Sequence, residues 1–402
     1  MIARENPKQV LAIDLGTSGP KVAVLNQEGR ILAAGSVPVE THFLPGGGAE
    51  QDPLSWWDAV KRGASQVLRI PGVDSSAIIA VSVTSQYAST VAVDESGSPL
   101  MNVVMWLDQR GAPYNRAVTS GFPKVSGYGL LPLLKWIRIT GLVPTQSGVD
   151  SLAHMLFIKN ERPDVYRRTA KFLEPMDYLN LRFTGRFAAN QCTAMPTMLS
   201  DNRKWDCREY SPELLKLSGI DKNKLPELLP VSSCVGPILP DVARELGLGD
   251  AVQVISSAND ATTGAIGAGA IGIGDPMLGI GSSSVINCHV RGKKTDVTNL
   301  LASMPSPVQD SFILQAENGM GGRCLEFFLN NIVFPKDALS AAEPPENMLS
   351  LASELAAEVP PGSEGVIFMP WLNGSLAPKE NPLMAGGFIN LTLKHSRGHL
   401  VR

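Results

Sequence analysis

The first forty residues alternate between apolar runs and small polar turns. Residues 9 to 14 (Gln-Val-Leu-Ala-Ile-Asp) run apolar into Asp14, and Gly16-Thr17-Ser18-Gly19-Pro20 follows as a turn. A second run, 21 to 26, is separated by Gln27-Glu28-Gly29 from a third, 30 to 37. Three short runs joined by tight turns predict a β-meander. Residues 51 to 69 change period, placing Trp56, Trp57, Val60, Ala64, Val67 and Leu68 on one helical face. Residues 78 to 83 and 90 to 94 read as strands again. Strands, a helix and more strands predict an α/β domain whose helices cover a mixed sheet.

From 112 to 250 the pattern is more helical, punctuated by Pro132, Pro144, Pro163, Pro196, Pro212, Pro226 and Pro230. Around 253 to 290 the opening pattern partly returns. An apolar run leads into Ser256-Ser257-Ala258-Asn259-Asp260, a helix of small residues follows, and a strand pair carries Gly279-Ile280-Gly281-Ser282-Ser283-Ser284. A second glycine-and-serine hairpin after a second apolar strand predicts two related lobes. The boundary is expected near 250, giving lobes of 1–250 and 251–402.

Composition narrows the class without naming it. A chain of 402 residues suits two or three domains, and 44% hydrophobic residues can bury large cores. The balance of 35 Lys+Arg against 38 Asp+Glu gives no electrostatic reason to expect nucleic acid. Cys192, Cys207, Cys234, Cys288 and Cys324 lack any C-x-x-C spacing, so they read as small hydrophobes in a reducing compartment. The amino terminus has no signal-peptide core, and no uncharged apolar run reaches the length of a membrane span. The expectation is a soluble cytoplasmic protein without a membrane or nucleic-acid partner.

Four segments carry candidate chemistry, each with a plainer alternative. In Asp14-Leu15-Gly16-Thr17-Ser18-Gly19-Pro20-Lys21, turn N–H groups and hydroxyls can donate to phosphate oxygens. Asp14 can hold Mg²⁺ through its waters, and Lys21 adds a point charge. The same residues are also the commonest in any tight hairpin. Gly281, Ser282 and Ser283 repeat that chemistry in the second lobe, although Gly/Ser loops are frequent linkers. Asp260, where a strand gives way to a helix, can accept the proton of a hydroxyl attacking a γ-phosphate; Asn and Asp are equally the preferred helix N-caps. Trp106-Leu107-Asp108-Gln109-Arg110, with Gln86 and Tyr87 before it, sets polar planar groups beside an aromatic ring, which suits a polyol. An exposed loop with an Asp–Arg surface pair fits the segment as well.

Together and in this order, these segments resemble the FGGY carbohydrate kinases, a family that includes xylulose, glycerol, gluconate and ribulose kinases. Supporting matches are Lys159 and Pro163, Asp177-Tyr178-Leu179 with Thr184-Gly185, Trp205 before Glu213-Leu214-Leu215, and Gly386-Gly387-Phe388 followed by His395, Arg397, His399 and Leu400. The likeness runs over essentially the whole chain. It implies two ribonuclease-H-like, actin/hexokinase-type lobes around a cleft, with sugar mostly on the first lobe and ATP mostly on the second. By resemblance Asp260 is the catalytic base and also touches the sugar, together with Gln86, Tyr87, Trp106 and Asp108. Gly16, Thr17, Ser18, Lys21, Gly281, Ser282 and Ser283 grip the nucleotide phosphates, and Asp14 organises Mg²⁺. The implied partners are a small sugar or polyol and ATP, with a homodimer left open.

Three departures accompany the likeness. Members that phosphorylate xylulose usually carry Gln-Met-His-Gly where this chain has Gln86-Tyr87-Ala88-Ser89. A Thr-Asp-x-Ser-Asp-Ala-Ser segment is replaced by Ala189-Asn190-Gln191-Cys192-Thr193-Ala194-Met195. The sequence ends at Leu400-Val401-Arg402, inside the family's second signature and before its glycine-rich adenosine loop, with Asn390 where a glycine is usual. The expectation is therefore a second lobe that is incomplete, its apolar run 366 to 372 short of covering helices. The reading that competes with an active kinase is a degenerate one that binds sugar without turnover. A chaperone-type or cell-shape ATPase of the same superfamily fits less well, because the Trp106–Arg110 segment belongs to the sugar branch.

Overall fold

A computed structural model describes residues 8–281, 283–335, 337–339, 343–381 and 383–402. The chain divides into two compact units. The first comprises 1–273, 289–294 and 303–313, and the second 274–288, 295–302 and 314–402.

The first unit is built on a six-stranded mixed sheet. The expected meander is present as β1 (Gln9–Gly16), β2 (Gly19–Asn26) and β3 (Ile31–Ser36), paired antiparallel in sequence order. In β1, Leu11, Ile13 and Leu15 are buried while Val10, Ala12 and Asp14 are half-buried on the other face. That alternation is the period of two a strand dictates. Each of the three buried side chains contributes roughly 1.5–3 kcal/mol by leaving water. The core they enter is closed by α1 (Pro53–Val67), whose Trp56, Val60, Ala64 and Val67 are fully buried. Asp52 caps this helix by accepting the Leu54 N–H at 2.9 Å, and Pro53 occupies the first helical position, where no N–H is missed.

The sheet continues through β4 (Ile78–Ser85), which runs parallel to β1, then β5 (Cys234–Pro237) and β6 (Gln253–Ile255). Its order is β5-β6-β4-β1-β2-β3. Because β6 pairs in parallel with β4, the first unit runs past the boundary expected at 250 and takes in Asp260. A carboxylate expected at the entry of the second lobe therefore belongs to the same unit as Asp14, on the helix that follows β6. The strand expected at 90–94 is present as Val91–Val93, which lies outside this sheet and pairs with Lys171–Leu173.

Between β4 and β5 lie the helices expected for the middle of the chain. Those that bear on the site are α2 (Leu130–Thr140), α3 (Ser151–Glu161) and α4 (Pro175–Thr184). A second core gathers Trp136 of α2, Leu152, Met155 and Ile158 of α3, and Phe172. The helix expected after β6 is α5 (Asp260–Gly267).

The strand pair expected near 280 is β7 (Pro276–Ile280) and β8 (Ser284–Arg291), which lie in a sheet ordered β7-β8-β10-β9 with β9 (Ala302–Pro305) and β10 (Ser311–Asn318). In the second unit, part of the apolar run near 370 forms the strand Ile367–Met369, antiparallel to Gly387–Ile389. Phe328, Leu329 and Ala352 make a small core there, with Phe388 packed against it. Among the described residues no helix is long and apolar enough to cross a membrane. The cysteines are all free, as their spacing implied, but only Cys192 and Cys324 are buried, and Cys234 is exposed.

Candidate active site

Three parallel strands of one sheet end together and bring the candidate chemistry with them. Asp14 of β1 stands in register with Thr84 of β4, and Ile255 of β6 with Ser82. Thr84 Oγ1 reaches the Ala258 carbonyl at 2.7 Å and the Thr263 hydroxyl of α5 at 3.0 Å, tying the β4 edge to the start of that helix. The carboxyl ends of parallel strands are where open α/β sheets place ligands, since the chain there leaves the sheet in loops and helix starts.

Asp260 is not the helix cap. That place belongs to Asn259, whose side chain accepts the Thr262 N–H at 2.9 Å. Asp260 is the first helical residue, and its Oδ1 accepts the adjacent Ala261 N–H at 2.8 Å. Sequence alone left this pair ambiguous, and the helix start resolves it. More than a third of the Asp260 residue is reachable by solvent, yet protein atoms crowd its carboxyl. That desolvation is the main reason its pKa is raised to about 6; the negative charge of Asp14 pushes the same way, and Lys21 opposes it. Two carboxylates and a cation thus share one electrostatic field.

Asp14 pairs through Oδ2 with Lys21 Nζ at 3.3 Å, the two residues facing each other across β1 and β2. Its Oδ1 is buried and has no hydrogen-bond partner among the described residues. An orphaned carboxylate oxygen is costly unless something else occupies it, and a cation is the natural occupant.

The Gly16-Thr17-Ser18-Gly19 turn is tightly fixed. Gly19 has φ of +126°, and a Cβ there would meet Val37 O at 2.1 Å, so no other residue fits. The Thr17 hydroxyl, expected at a phosphate, donates to Gln86 Oε1 at 3.1 Å and accepts from Trp106 Nε1 at 3.0 Å. Its carbonyl takes the Gln51 amide at 2.8 Å, and Gln51 in turn accepts from buried Trp56 at 2.7 Å. Ser18 is exposed at the tip. The hairpin and the Gln86–Trp106 region therefore form one hydrogen-bonded assembly. Thr17→Val keeps the shape but strands the Gln86 oxygen, which is buried. A loss of about 1–3 kcal/mol is expected in urea denaturation; a change of a few tenths would mean the hydroxyl is not anchoring Gln86.

Trp106 presents 40% of its surface to solvent beside this assembly. Gln86 is buried, with its backbone N–H on Leu15 O at 2.9 Å. Tyr87 is half-buried, and burial together with the charges of Glu174 and Asp150 pushes its phenol well above the ordinary range. Asp108 lies elsewhere than expected. It is fully buried, Oδ2 accepts the Ala49 N–H at 2.9 Å and Arg110 Nη2 at 2.7 Å, and Oδ1 accepts the Arg110 N–H at 2.9 Å. Arg110 also bonds Glu50 at 2.6 Å and stacks on Phe157, its guanidinium 4.5 Å from the ring centre. The pair anticipated as a surface pair or a sugar contact is a buried ionic cluster. Its oxygens are already taken.

In the second unit, the Gly281 N–H donates to Ser283 O at 2.8 Å and its carbonyl accepts Gly322 N–H at 2.6 Å. Both backbone groups of Gly281 are thus paired inside the unit, whereas Ser283 turns its hydroxyl to Glu317. Ser282 lies outside the described residues.

A family model for the amino-terminal domain of the FGGY family of carbohydrate kinases matches residues 9–267, nearly two-thirds of the sequence. The chain belongs to the FGGY family of carbohydrate kinases. The matched span covers the whole six-stranded sheet and α5, hence every residue of the Asp14–Asp260 site. A xylulose kinase of Bacillus subtilis is 28% identical over 395 residues, spanning 98% of this chain and 74% of its own length. A gluconokinase of the same organism is 22% identical over 393 residues, 98% and 73% of the two chains. The solved structure of a ligand-bound xylulose kinase from Lactobacillus acidophilus superposes with a TM-score of 0.77 at 24% identity, covering 98% of this chain and 75% of that one, which establishes the shared fold.

Among residues that sequence reasoning missed, Thr84, Gln51 and Glu174 all bear on the site. Thr84 carried a faint signal as a polar residue near the end of an apolar strand. Gln51 and Glu174 carried none, because their partners are distant in sequence.

Proposed function

We propose that this FGGY kinase transfers the γ-phosphoryl group of ATP to one hydroxyl of a small ketose, polyol or sugar acid. The observation that carries the reading is the Asp260 carboxyl. The helix is capped by Asn259 instead, the Asp260 pKa is raised to about 6, and the group shares its field with Asp14 at the carboxyl ends of three parallel strands. In this reading Asp260 accepts the proton as the substrate oxygen attacks the γ-phosphorus, and the O–P bond to the β-phosphate breaks to leave ADP. A base with a pKa near 6 is mostly ionised at neutral pH yet basic enough to take a proton as the new bond forms.

The exposed Trp106 face suits the C–H side of a sugar, and Gln86 and Tyr87 line the neighbouring backbone. Xylulose and gluconate are what the named relatives act on. The Gln86-Tyr87-Ala88-Ser89 loop differs from the xylulose pattern, so the specific sugar is best found by a panel.

For the metal, no group of three or more His, Cys, Asp or Glu side chains able to hold an ion occurs among the described residues. The residues present fit Mg²⁺ bound in the manner usual for nucleotides, by one or two carboxylates with water and phosphate oxygens completing the shell. Asp14, with its orphaned Oδ1, would hold it. When bound, such an ion neutralises charge developing on the phosphates.

The test is a panel of ketoses, polyols and sugar acids, scored by ADP release and by ligand-induced thermal stabilisation. Sugar-dependent ADP release supports the reading. Stabilisation without ADP release would replace it with a sugar-binding protein lacking turnover.

The raised Asp260 pKa also fixes a pH dependence. The base works only when ionised, so kcat/KM for the sugar should rise with pH along a limb of unit slope centred near 6. Lys21→Met removes the cation that lowers this pKa, so its limb should move to higher pH. A limb that stays put in this variant, or one centred near 4 in the parent, would contradict the assignment.

A further inference from the structure

Glu174 precedes α4 at the N-cap position, yet its side chain makes no capping bond. It turns inward instead and is 4% exposed. One oxygen takes the hydroxyl of Ser151, the first residue of α3. The other accepts the Ser89 N–H at 3.3 Å, with the Ala88 N–H adding to it. Ala88, between the two halves of the loop, sits at φ of +56° and is almost wholly buried. A non-glycine residue in the left-handed region is held there against its own preference, so something must enforce it. The loop is anchored on its other side too: Ser89 Oγ accepts the Trp106 N–H at 3.0 Å, and Gln86 bonds Thr17. Next to Glu174 the Tyr87 hydroxyl is buried and has no partner among the described residues. A buried polar atom left unpaired beside such a clamp lacks a partner that a substrate hydroxyl would supply.

We propose that Glu174 is a positioning residue for the sugar: it clamps the Ala88–Ser89 backbone and so fixes where Gln86 and Tyr87 meet the substrate. This rests on the reading that the 86–106 region receives the sugar. Burial pushes the Glu174 pKa up and nearby Asp177 adds to the rise, while the bonds donated by Ser151, Ser89 and Ala88 oppose it. Glutamine keeps the shape of the side chain and can still accept one bond.

The experiment measures sugar Kd by calorimetry without ATP, and kcat and both KM values with it, using a sugar found by the panel. Glu174→Leu keeps the volume and removes both acceptors. Its sugar Kd and KM should rise on the order of tenfold while KM for ATP stays within about twofold. Glu174→Gln should return the sugar Kd to within about threefold of the parent. Ala88→Gly, which relieves the left-handed strain, should recover part of the loss when combined with Glu174→Leu. If Glu174→Leu folds poorly, Glu174→Asp, which draws the acceptors back from Ser89 and Ala88, takes its place, with the same rise in sugar Kd expected and an unchanged Kd overturning the assignment. An unchanged sugar Kd in Glu174→Leu, or equal losses for sugar and ATP, overturns the assignment. Normal sugar binding without ADP release by the parent overturns only the kinase reading, and no sugar binding by the parent overturns both.

Discussion

Asp260→Asn should lower kcat by roughly 10²–10⁴-fold, the usual worth of a general base, while sugar Kd stays within a few-fold of the parent. The amide has the same shape and can still accept the Ala261 N–H that Asp260 takes at 2.8 Å, so the start of α5 is preserved. Asn259 continues to cap the helix, which removes the trivial explanation that activity fell because the helix frayed. The measurement is steady-state ADP release with calorimetric sugar binding alongside. Turnover within threefold of the parent would show that Asp260 is only a helix residue. A parallel loss of sugar affinity and kcat would instead make it a binding group. The variant should also lose the acid limb near pH 6, since the group that titrates there is gone.

The second large effect concerns stability. Arg110→Met should destabilise the first unit by about 3–5 kcal/mol, because it leaves a fully buried Asp108 carboxylate without its counter-ion. The methionine side chain refills much of the space against Phe157, so cavity formation contributes little. The loss comes from an uncompensated charge, and Asp108→Asn in the same chain should recover a large part of it. Single variants whose costs simply add would exclude that mechanism, as coupled neighbours do not add. Denaturant unfolding followed by tryptophan fluorescence reads the change, and a loss below about 1 kcal/mol for Arg110→Met would show that water reaches Asp108. The same pair of variants separates the two readings of Asp108. If it held the sugar directly, Asp108→Asn would weaken sugar binding at unchanged stability.

The sequence by itself determined the elements and most of the site's candidates. The apolar run ending at Asp14 before a glycine-rich turn predicts a strand from sequence, and the structure adds that Leu11, Ile13 and Leu15 are its buried face and Asp14 lies on the other. The glycine at 19 announced a turn no other residue can make. Local signals suffice for such features, because backbone period and turn geometry are settled by neighbours in the chain. The family likeness likewise rested on motif order, which sequence displays directly.

Only the tertiary structure decided which candidates work together. Asp14 and Asp260 are separated by hundreds of residues, and their shared field exists because β1, β4 and β6 run parallel and end at one edge. The same pairing moved the unit boundary past 250, since a three-residue strand belongs to whichever sheet completes its hydrogen bonds. Asp108 looked like a surface or sugar-facing acid because an Asp-x-Arg segment carries no mark of burial; Ala49, Glu50 and Phe157 supply it from far along the chain. Thr17 changed meaning for the same reason. A hydroxyl or a carboxyl acts according to what its lone pairs meet, and those partners are brought by packing.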